Sequence, residues 1–361
     1  MPLRGEMLLK GKICMVGPDP KVMGGIAAVV SGYLNSSLIK EYDITYVSSY
    51  KDGNKLKKLI VAVLAYIKFI WICTFNRPDI IHIHSSFGAS FYRKMFFIII
   101  GKLFAIPIIN HIHGAEFDKF YTKATSKKKK LIYKIYLMCY KIIVLSKEWK
   151  DKFEKVIDGS KIEIVENFSV VPSNITAAEN RDNVVLFLGY IGIRKGAYDI
   201  PNVVKEVIKY VPDVRFILCG NGEVDKLKRI IKENNLDKNI ELTGWINNKQ
   251  KYELLNTSKI YFLPSYNEGL PMSILEGMSY GLPIVSTNVG GIPTVISSGF
   301  NGFIYDPGST LEFANAILKL LKNQQLCTEI HKNNINMIIK KYSLEVNVSK
   351  ISAIYHQIER M

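Results

Sequence analysis

Residues 265–287 constrain the fold more than any other part of the chain, because they predict a turn, a helix and a strand in immediate succession. An apolar run at 260–263 precedes them, and Gly269-Leu270-Pro271 predicts the tight turn. The helix is expected over 273–280 and the following strand over 284–286. A strand, a crossover helix and a second strand are the repeating unit of a parallel sheet, so the stretch predicts an α/β domain.

Two glutamates in this stretch point to a ligand that carries hydroxyl groups. Glu268 precedes the turn, and Glu276 lies inside the predicted helix. Backbone N–H groups at the start of that helix favour an anion such as a phosphate. A carboxylate close to a phosphate would repel it. We therefore expect the glutamates to bind sugar or ribose hydroxyls, while backbone and cations elsewhere hold the negative charge.

The same alternation of apolar runs and helical segments extends through both halves of the chain. Strands are predicted at 12–16, 44–47, 79–84, 106–113, 141–146, 162–165, 183–189, 215–220, 240–244, 260–263 and 284–286. A chain of 361 residues exceeds what one core usually supports. We predict an α/β fold with two Rossmann-like, doubly wound domains facing each other across a cleft. The domains are placed at 1–170 and 171–343, with a last helix, 344–361, crossing back onto the first.

Glycine turns and charged side chains follow several of these strands. Gly24 and Gly25 follow the first strand, where glycine lets the backbone approach a phosphate closely. Arg194 and Lys195 lie on a glycine-bounded loop, and a planar fork beside a compact charge suits a diphosphate. His113 ends the fourth strand, at the edge where open parallel sheets bind ligands. A core histidine without a ligand is the alternative for His113.

Neither a metal site nor a disulfide framework is expected. His111 and His113 have a spacing that would suit a metal pair, but no cysteine lies near them and only Glu116 and Asp118 are available. The chain contains no Asp-x-Asp pair. Its five cysteines are scattered through apolar segments, which is typical of free thiols in a reducing cytoplasm. The site is therefore expected to need no metal and no cofactor.

The basic excess is concentrated in the first half of the chain. The net charge is +16, and residues 1–170 hold 27 Lys and Arg against 14 Asp and Glu. Such a bias favours nucleic acid, an anionic membrane surface or an anionic substrate as partner. A cluster at 127–130 continues the lysines at 119 and 123. The apolar runs 59–75 and 95–109 are each broken by a lysine, which leaves packed helices and an interfacial helix as alternatives.

Six motifs occur in order along nearly the whole chain. They are Gly24-Gly25, His113-Gly114, Gly189 with Arg194-Lys195-Gly196, Gly220-Asn221-Gly222, the pair Glu268 and Glu276, and Gly290-Gly291. The set resembles the retaining glycosyltransferases of family 4, also described as glycosyl transferases group 1, of bacterial polysaccharide type. The resemblance implies the two-domain GT-B fold, with the acceptor side at 1–170 and the nucleotide sugar bound at 171–343.

The resemblance also implies roles for individual residues. Glu276 matches the ribose-binding position, Glu268 the donor-sugar position, and Lys195 with Arg194 the diphosphate clamp. The backbone of Gly269, Leu270 and Pro271 is expected to support sugar and phosphate, Gly24 and Gly25 to approach the diphosphate, and His113 to lie against the transferred sugar. His113, Glu268 and Lys195 form the expected catalytic set. Two positions depart from the family pattern: Tyr190, where many relatives carry arginine, and Thr294, where a glutamate is common.

The expected function is transfer of a sugar, with retention and without a metal, from a nucleotide-diphosphate sugar to a glycan acceptor. A UDP-sugar is favoured as donor and GDP-mannose is the second choice. A lipid-linked acceptor in capsule, exopolysaccharide or O-antigen assembly is expected, together with peripheral attachment to the cytoplasmic face of the membrane through the basic first domain. A sugar-nucleotide epimerase of GT-B fold, a basic nucleic-acid-binding protein and a non-catalytic scaffold are the alternatives.

Overall fold

The computed structural model describes residues 9–360 and divides them into two compact units. Unit 1 comprises the chain up to Asn167 together with the segment from Leu344 onwards, and unit 2 comprises Phe168–Ser343. The start of the chain, where no secretory signal is expected, lies largely outside the described residues. The acceptor and donor roles assigned to the two domains stay predictions.

Unit 1 contains one six-stranded parallel sheet in the order β2-β1-β3-β4-β5-β6. Its strands are β1 (Lys12–Gly17), β2 (Asp43–Ser48), β3 (Ile80–Ser85), β4 (Ile108–Ile112), β5 (Lys141–Val144) and β6 (Ile162–Ile164). Its helices are α1 (Gly25–Leu34), α2 (Leu38–Glu41), α3 (Lys55–Trp71), α4 (Ala89–Leu103), α5 (Phe117–Thr122), α6 (Ser126–Leu137), α7 (Lys147–Glu154) and the last helix of the chain, Leu344–Glu359.

The central strands of unit 1 are buried on both faces, which is why their sequences are nearly continuous apolar runs. All six residues of β3 are buried, including its two histidines. Several helices begin at a polar residue whose side chain accepts a backbone N–H: Asn54 caps α3, Thr125 caps α6 and Ser146 caps α7. Helix α3 continues into a single π-helical turn at Ile72–Asn76.

The last helix of the chain contacts unit 1 through a buried hydrogen bond and a partly exposed ion pair. The Tyr33 hydroxyl donates to Asn347 Oδ1 at 2.6 Å, and Lys350 forms an ion pair with Glu166 at 2.5 Å. Because these bonds join residues more than 180 positions apart in sequence, the terminal helix completes the first core rather than extending the second.

Unit 2 contains a second six-stranded parallel sheet, in the order β12-β11-β10-β7-β8-β9. The strands are β7 (Asp182–Leu188), β8 (Arg215–Cys219), β9 (Ile240–Gly244), β10 (Ser258–Leu263), β11 (Ile284–Thr287) and β12 (Gly302–Tyr305). The helices are α8 (Ile200–Ile208), α9 (Val224–Glu233), α10 (Asn248–Thr257), α11 (Met272–Ser279), α12 (Ile292–Val295), α13 (Thr310–Lys322) and α14 (Gln324–Met337); the terminal helix Leu344–Glu359 is therefore α15.

The structure confirms the predicted α/β class with two parallel, doubly wound sheets. One strand, β12, escapes prediction because it has four residues, begins with glycine and forms the sheet edge, so it carries too few apolar positions to show a pattern. The prediction of free, buried cysteines is also confirmed, since all five are unpaired and buried.

Candidate active site

The order of strands in unit 2 predicts a ligand site at the carboxyl ends of two neighbouring strands. The order runs outward from β7 to β8 and β9 in one direction and from β10 to β11 and β12 in the other. Ligands of doubly wound sheets bind beyond the carboxyl ends of the strands, where this reversal opens a crevice between neighbouring loops. The loops after β7 and β10 are therefore the expected site, and they carry Arg194-Lys195 and Glu268.

The loop after β7 is held tightly against the end of β10. Residues Ile193–Lys195 form a 3-10 turn that ends at Gly196, whose φ of 68° is left-handed. A Cβ at position 196 would collide with the carbonyl oxygen of Pro264, so only glycine fits there. The Tyr266 N–H also donates to the Arg194 carbonyl at 2.8 Å. This packing fixes the backbone that presents Arg194 and Lys195.

Lys195 and Glu268 form a short, nearly buried ion pair. Lys195 Nζ lies 2.6 Å from Glu268 Oε1, and the two side chains are 13% and 6% exposed. The Ser265 hydroxyl donates to the same oxygen at 2.6 Å. Within the described part of the chain, Glu268 Oε2 accepts no hydrogen bond. One carboxylate oxygen thus fixes the lysine, and the other remains able to accept from a sugar hydroxyl.

Arg194 is more exposed than the adjacent Lys195. Its Nη1 donates to the Asn267 carbonyl at 3.1 Å and lies 3.9 Å from Glu268 Oε1. The guanidinium is thereby braced along the loop after β10 while its outer face is open to solvent. Two cations consequently lie within 4 Å of one carboxylate oxygen, and that concentration of positive charge suits a diphosphate.

The turn at Gly269, Leu270 and Pro271 is buried and leads directly into α11. It is supported from behind by the Gly290-Gly291 turn. The Gly291 N–H donates to the Gly269 carbonyl at 2.5 Å, and a Cβ at Gly290 would collide with the Glu268 carbonyl. Pro271 is the N-cap of α11 and supplies no side-chain cap. The start of this eight-residue helix is therefore presented by a rigid turn, as an anion site requires.

Glu276 lies on α11 in an ion pair that the sequence does not reveal. Lys251 Nζ on α10 is 2.6 Å from Glu276 Oε1, and the two side chains are 21% and 19% exposed. Lys251 and Ser265 are the two site residues that sequence analysis misses. No motif marks Lys251, which precedes Glu276 by 25 positions, whereas Ser265 could have been found from its place at the end of β10.

In unit 1, Gly24 and Gly25 begin α1 at the carboxyl end of β1. Gly24 has a φ of 139° and is the N-cap of the helix, and a Cβ there would meet nothing within 4 Å. Both glycines are exposed, so their backbone is accessible. At the start of the preceding loop, the Gly17 carbonyl accepts from the Ser49 hydroxyl at 2.8 Å, and that hydroxyl accepts from the buried Lys94. Burial holds the pKa of Lys94 well below its usual range.

His113 belongs to a cluster of four histidines that begins inside the sheet. His82 and His84 lie on β3, His111 lies on β4 and His113 follows it; the ring centroids of the pairs 82/84, 84/113 and 111/113 are 4.2 to 5.2 Å apart. His84 Nδ1 and His113 Nε2 are 3.0 Å apart, and His82 Nδ1 bonds to the Tyr355 hydroxyl at 2.6 Å.

Burial keeps these histidines neutral. It lowers the pKa of His82 and of His113 to about 3, with the side chain of Asn167 opposing the shift at His113. Burial first, and then the neighbouring imidazoles, lower the pKa of His84 and of His111 well below the usual range. His113 therefore acts at neutral pH as an uncharged hydrogen-bonding group and not as a cation.

The histidine cluster brings nitrogen donors together inside unit 1. Ligand atoms of His82, His84 and His111 all lie within 4.8 Å of one another, and all three residues are buried. The planes of His82 and His111 are 10° apart and those of His82 and His84 are 25° apart, so these rings pack nearly parallel. The expectation that the site needs no metal stays a prediction.

Comparison with known proteins identifies the family. A model of glycosyl transferases group 1 matches residues 173–337, and a model of glycosyltransferase family 4 matches residues 35–168, so that the two cover most of the chain. A UDP-Gal:alpha-D-GlcNAc-diphosphoundecaprenol alpha-1,3-galactosyltransferase from Escherichia coli is 28% identical over 305 residues, covering 78% of this chain and 76% of that protein.

Two solved structures share the fold. Anabaena Alr3699/HepE in complex with UDP-glucose has a TM-score of 0.74 at 16% identity, covering 96% of this chain and 100% of that one. S. aureus TarM in complex with fondaparinux, alpha-GlcNAc-glycerol and UDP has a TM-score of 0.67 at 22% identity, covering 81% of this chain and 59% of that longer one. With two doubly wound units and family matches to both, the chain belongs to the family 4 glycosyltransferases, the glycosyl transferases group 1, and has the GT-B fold.

Proposed function

We propose that the chain transfers a sugar from a UDP-sugar to a lipid-linked glycan acceptor during assembly of a cell-surface polysaccharide. The observation that carries the proposal is the arrangement of Arg194, Lys195 and Glu268 at the point where the strand order of unit 2 reverses. It combines two cations for a diphosphate with a carboxylate for a hydroxyl group. The names of the E. coli and Anabaena relatives, which mention UDP-Gal and UDP-glucose, support UDP over GDP.

Each predicted site residue takes a role that its surroundings permit. Lys195 and Arg194 neutralise the diphosphate, and Glu268 Oε2 accepts from a hydroxyl of the donor sugar. Glu276 accepts from the ribose hydroxyls, with Lys251 fixing its orientation. The turn at 269–271 and the start of α11 direct N–H groups at phosphate or sugar oxygens. In unit 1, the roles of Gly24 and Gly25 toward the diphosphate and of His113 toward the transferred sugar stay predictions from the family resemblance.

The reaction breaks the bond between the anomeric carbon and the outer phosphate oxygen and forms a bond from that carbon to the acceptor oxygen. The acceptor proton passes to an oxygen of the leaving UDP on the same face, which retains the configuration. Lys195 and Arg194 lower the barrier because they stabilise the charge that grows on the diphosphate. We assign no covalent nucleophile and treat Glu268 as a ligand of the donor sugar, held in place by the bonds from Lys195 and Ser265 to its Oε1 atom.

Transfer without a metal is part of the proposal. No Asp-x-Asp pair occurs in the sequence, and the two basic side chains beside Glu268 supply the positive charge that a metal would otherwise bring. The acceptor assignment is supported by the undecaprenol-linked substrate in the name of the E. coli relative and by the basic excess of residues 1–170. We therefore propose attachment to the cytoplasmic face of the membrane through unit 1.

A thermal-shift screen with UDP-, GDP- and ADP-sugars tests the donor, because a ligand that binds the folded state raises the melting temperature. The UDP-sugar should give the largest shift, with no loss when a chelator is present. Incubation of the best donor with a polyprenyl-diphosphate glycan should then give a product whose anomeric configuration, read by NMR, equals that of the donor. Turnover of the nucleotide sugar to its epimer without acceptor would instead identify an epimerase.

A further inference from the structure

Helix α3 and its π turn expose an unusually large apolar surface to solvent. We call this surface the α3 face; each of its nine large apolar side chains is between 43% and 73% exposed. The residues are Leu56, Leu59, Ile60, Val63, Leu64, Ile67, Ile70, Trp71 and Phe75. Soluble proteins rarely leave so continuous an apolar patch in water unless it contacts a partner or a membrane.

The α3 face is continuous along the helix. At 100° per residue, its members fall within an arc of roughly 160°. The opposite side packs inward through Ala62, Ala65, Phe69 and Ile72, all of them buried. The helix is therefore apolar on both sides, and only the narrower side is used by the fold.

The inward side of the helix argues against a membrane-spanning role. Among the described residues, Lys55–Asn76 is the one helix long and apolar enough to span a bilayer. However, Ala65, Phe69, Ile72 and Cys73 belong to the main hydrophobic core of unit 1. A spanning helix would have to withdraw these side chains from the core. A helix that stays packed on its domain and is apolar outward can instead enter the headgroup region sideways.

The charges around the α3 face identify the kind of surface it fits. Between Lys51 and Arg77 there are six basic side chains and one acidic side chain, Asp52. Lys57 and Lys68 lie at the border of the arc and are exposed. The apolar surface continues onto α4, because the half-exposed Phe96 contacts Tyr66 at a ring distance of 5.7 Å. An apolar strip bordered by lysines matches acyl chains bordered by anionic headgroups.

We propose that the α3 face is the membrane-inserting surface of this protein and enters the outer acyl region of an anionic bilayer, while the bordering lysines contact lipid phosphates. This inference deepens the membrane attachment under the proposed function. It replaces attachment by charge alone, which the lysine cluster at 127–130 suggested, with insertion of side chains. Trp71, at the end of the helix, lies where interfacial tryptophans concentrate.

Trp71 provides a direct readout. The chain has three tryptophans; Trp149 is buried, and Trp245 is exposed in unit 2. In a Trp245→Phe background, vesicles of phosphatidylcholine and phosphatidylglycerol should blue-shift the emission, and lipids brominated on the acyl chain should quench it. Vesicles of phosphatidylcholine alone should bind less tightly. Binding that depends on anionic lipid without quenching by brominated chains would overturn insertion, because it would show attachment by charge only.

Matched variants locate the surface. The triple variant Leu59→Ser, Leu64→Ser, Ile67→Ser should weaken vesicle affinity more than about tenfold. A control triple variant in unit 2, Val170→Ser, Leu311→Ser, Ile339→Ser, removes three equally exposed apolar side chains and should bind as wild type. Equal losses in the two triple variants would overturn the assignment. The α3 variant should keep the thermal shift with its nucleotide sugar, which separates this inference from the proposed reaction.

The α3 face could instead bind a second copy of the chain, and the experiment must distinguish this dimer interface from a membrane-binding surface. Light scattering without lipid should show the same oligomeric state for wild type and for the α3 triple variant. A wild-type dimer that becomes monomeric in that variant, together with unchanged vesicle affinity, would overturn the proposal and make the α3 face a subunit interface. Failure of every nucleotide sugar to stabilise the protein would refute the proposed donor site but leave the vesicle result standing.

Discussion

Replacement of Lys195 by methionine tests the proposed diphosphate clamp most directly. Methionine keeps much of the aliphatic length and removes the charge that lies 2.6 Å from Glu268 Oε1. The loop should keep its path, because Gly196 and the bond between Tyr266 and Arg194 fix its backbone independently of the side chain. The variant therefore changes the charge at the site more than its shape.

The expected loss follows from the interaction that is removed. A hydrogen bond between a charged donor and a phosphate oxygen contributes about 1.5–3 kcal/mol net. The dissociation constant for UDP should therefore rise roughly 10- to 150-fold. The free energy of unfolding should also fall, since Glu268 loses its closest cation in a nearly buried position. Ser265 still donates to that carboxylate, and Arg194 remains 3.9 Å away, so the variant should stay folded.

Calorimetric titration with UDP measures the effect, and Lys141→Met is the matched control. Lys141 forms an ion pair with Glu163 at the same 2.6 Å distance and is 15% exposed, but it lies in unit 1, on β5. Its replacement removes an equally short pair in which the lysine is similarly buried and the glutamate, at 36%, is more exposed. UDP affinity should be unchanged in that control, which separates a specific contact with the diphosphate from a general loss of stability.

Glu268→Gln should act in the opposite direction on binding. Glutamine can still accept from Ser265 but no longer holds Lys195 by charge, so the diphosphate competes with a weaker partner. UDP should bind as tightly as to wild type or more tightly, while kcat falls because the donor sugar loses its carboxylate acceptor. The reasoning is refuted if Lys195→Met binds UDP within about threefold of wild type, or if both variants lose UDP affinity equally.

Three further changes test the architecture around the site. His111→Phe removes two buried ring nitrogens that have no hydrogen-bond partner, so stability at pH 7 should be kept or raised. The pKa of His111 in the folded protein lies below its ordinary 6.5, so the free energy of unfolding of the wild type falls as the pH drops below that value. Urea unfolding at pH 7 and pH 5 should show that this fall is about 2 kcal/mol smaller in the variant. An equal fall in both proteins would contradict the buried, neutral state of His111. Gly196→Ala should weaken UDP binding without altering any charge, whereas Gly299→Ala, also at positive φ but with open space around it, should lose only stability; equal UDP affinities would argue against the packing described for the loop. Arg181→Met leaves the carbonyls of Thr176, Leu255, Ser258 and Tyr280 without their donor and should lower the free energy of unfolding by about 3 kcal/mol in chemical denaturation, and a loss below about 1 kcal/mol would show that water replaces it.

The fold is predictable from sequence because its strands are buried on both faces. Runs such as the one in β10, where all six residues are buried, must be apolar throughout and are easily recognised. β12 is missed because it has only four residues, begins with glycine and is only partly buried at its last two positions. No local sequence pattern predicts the order of the strands, because that order depends on which apolar faces pack together when the chain folds.

The residue types at the site are predictable, but their pairing is not. Sequence analysis assigns Lys195 to phosphate and Glu268 to sugar, and the structure joins the two in one ion pair. It likewise pairs Glu276 with Lys251, which no motif marks. Such pairs form between elements distant in sequence, so they follow from the packing of α10 on α11 and of the loops after β7 and β10. The roles of these residues toward a ligand stay predictions.

The loop after β7 also bears on Tyr190, which brings no positive charge to a position where the family resemblance predicts arginine. The Tyr190 ring lies beside two glycine turns: a Cβ at Gly192 would come within 3.0 Å of the ring, and so would one at Gly222. The ring therefore covers a glycine surface at the rim. Arg194, four residues later on the same loop, reaches within 3.9 Å of Glu268 and is held by the Asn267 carbonyl. Because a diphosphate responds to the local sum of charge rather than to one position, we expect a cation at position 194 to replace one at position 190. Under the proposed function, donor affinity then depends on the whole glycine-bounded loop, whose path is fixed by Gly196.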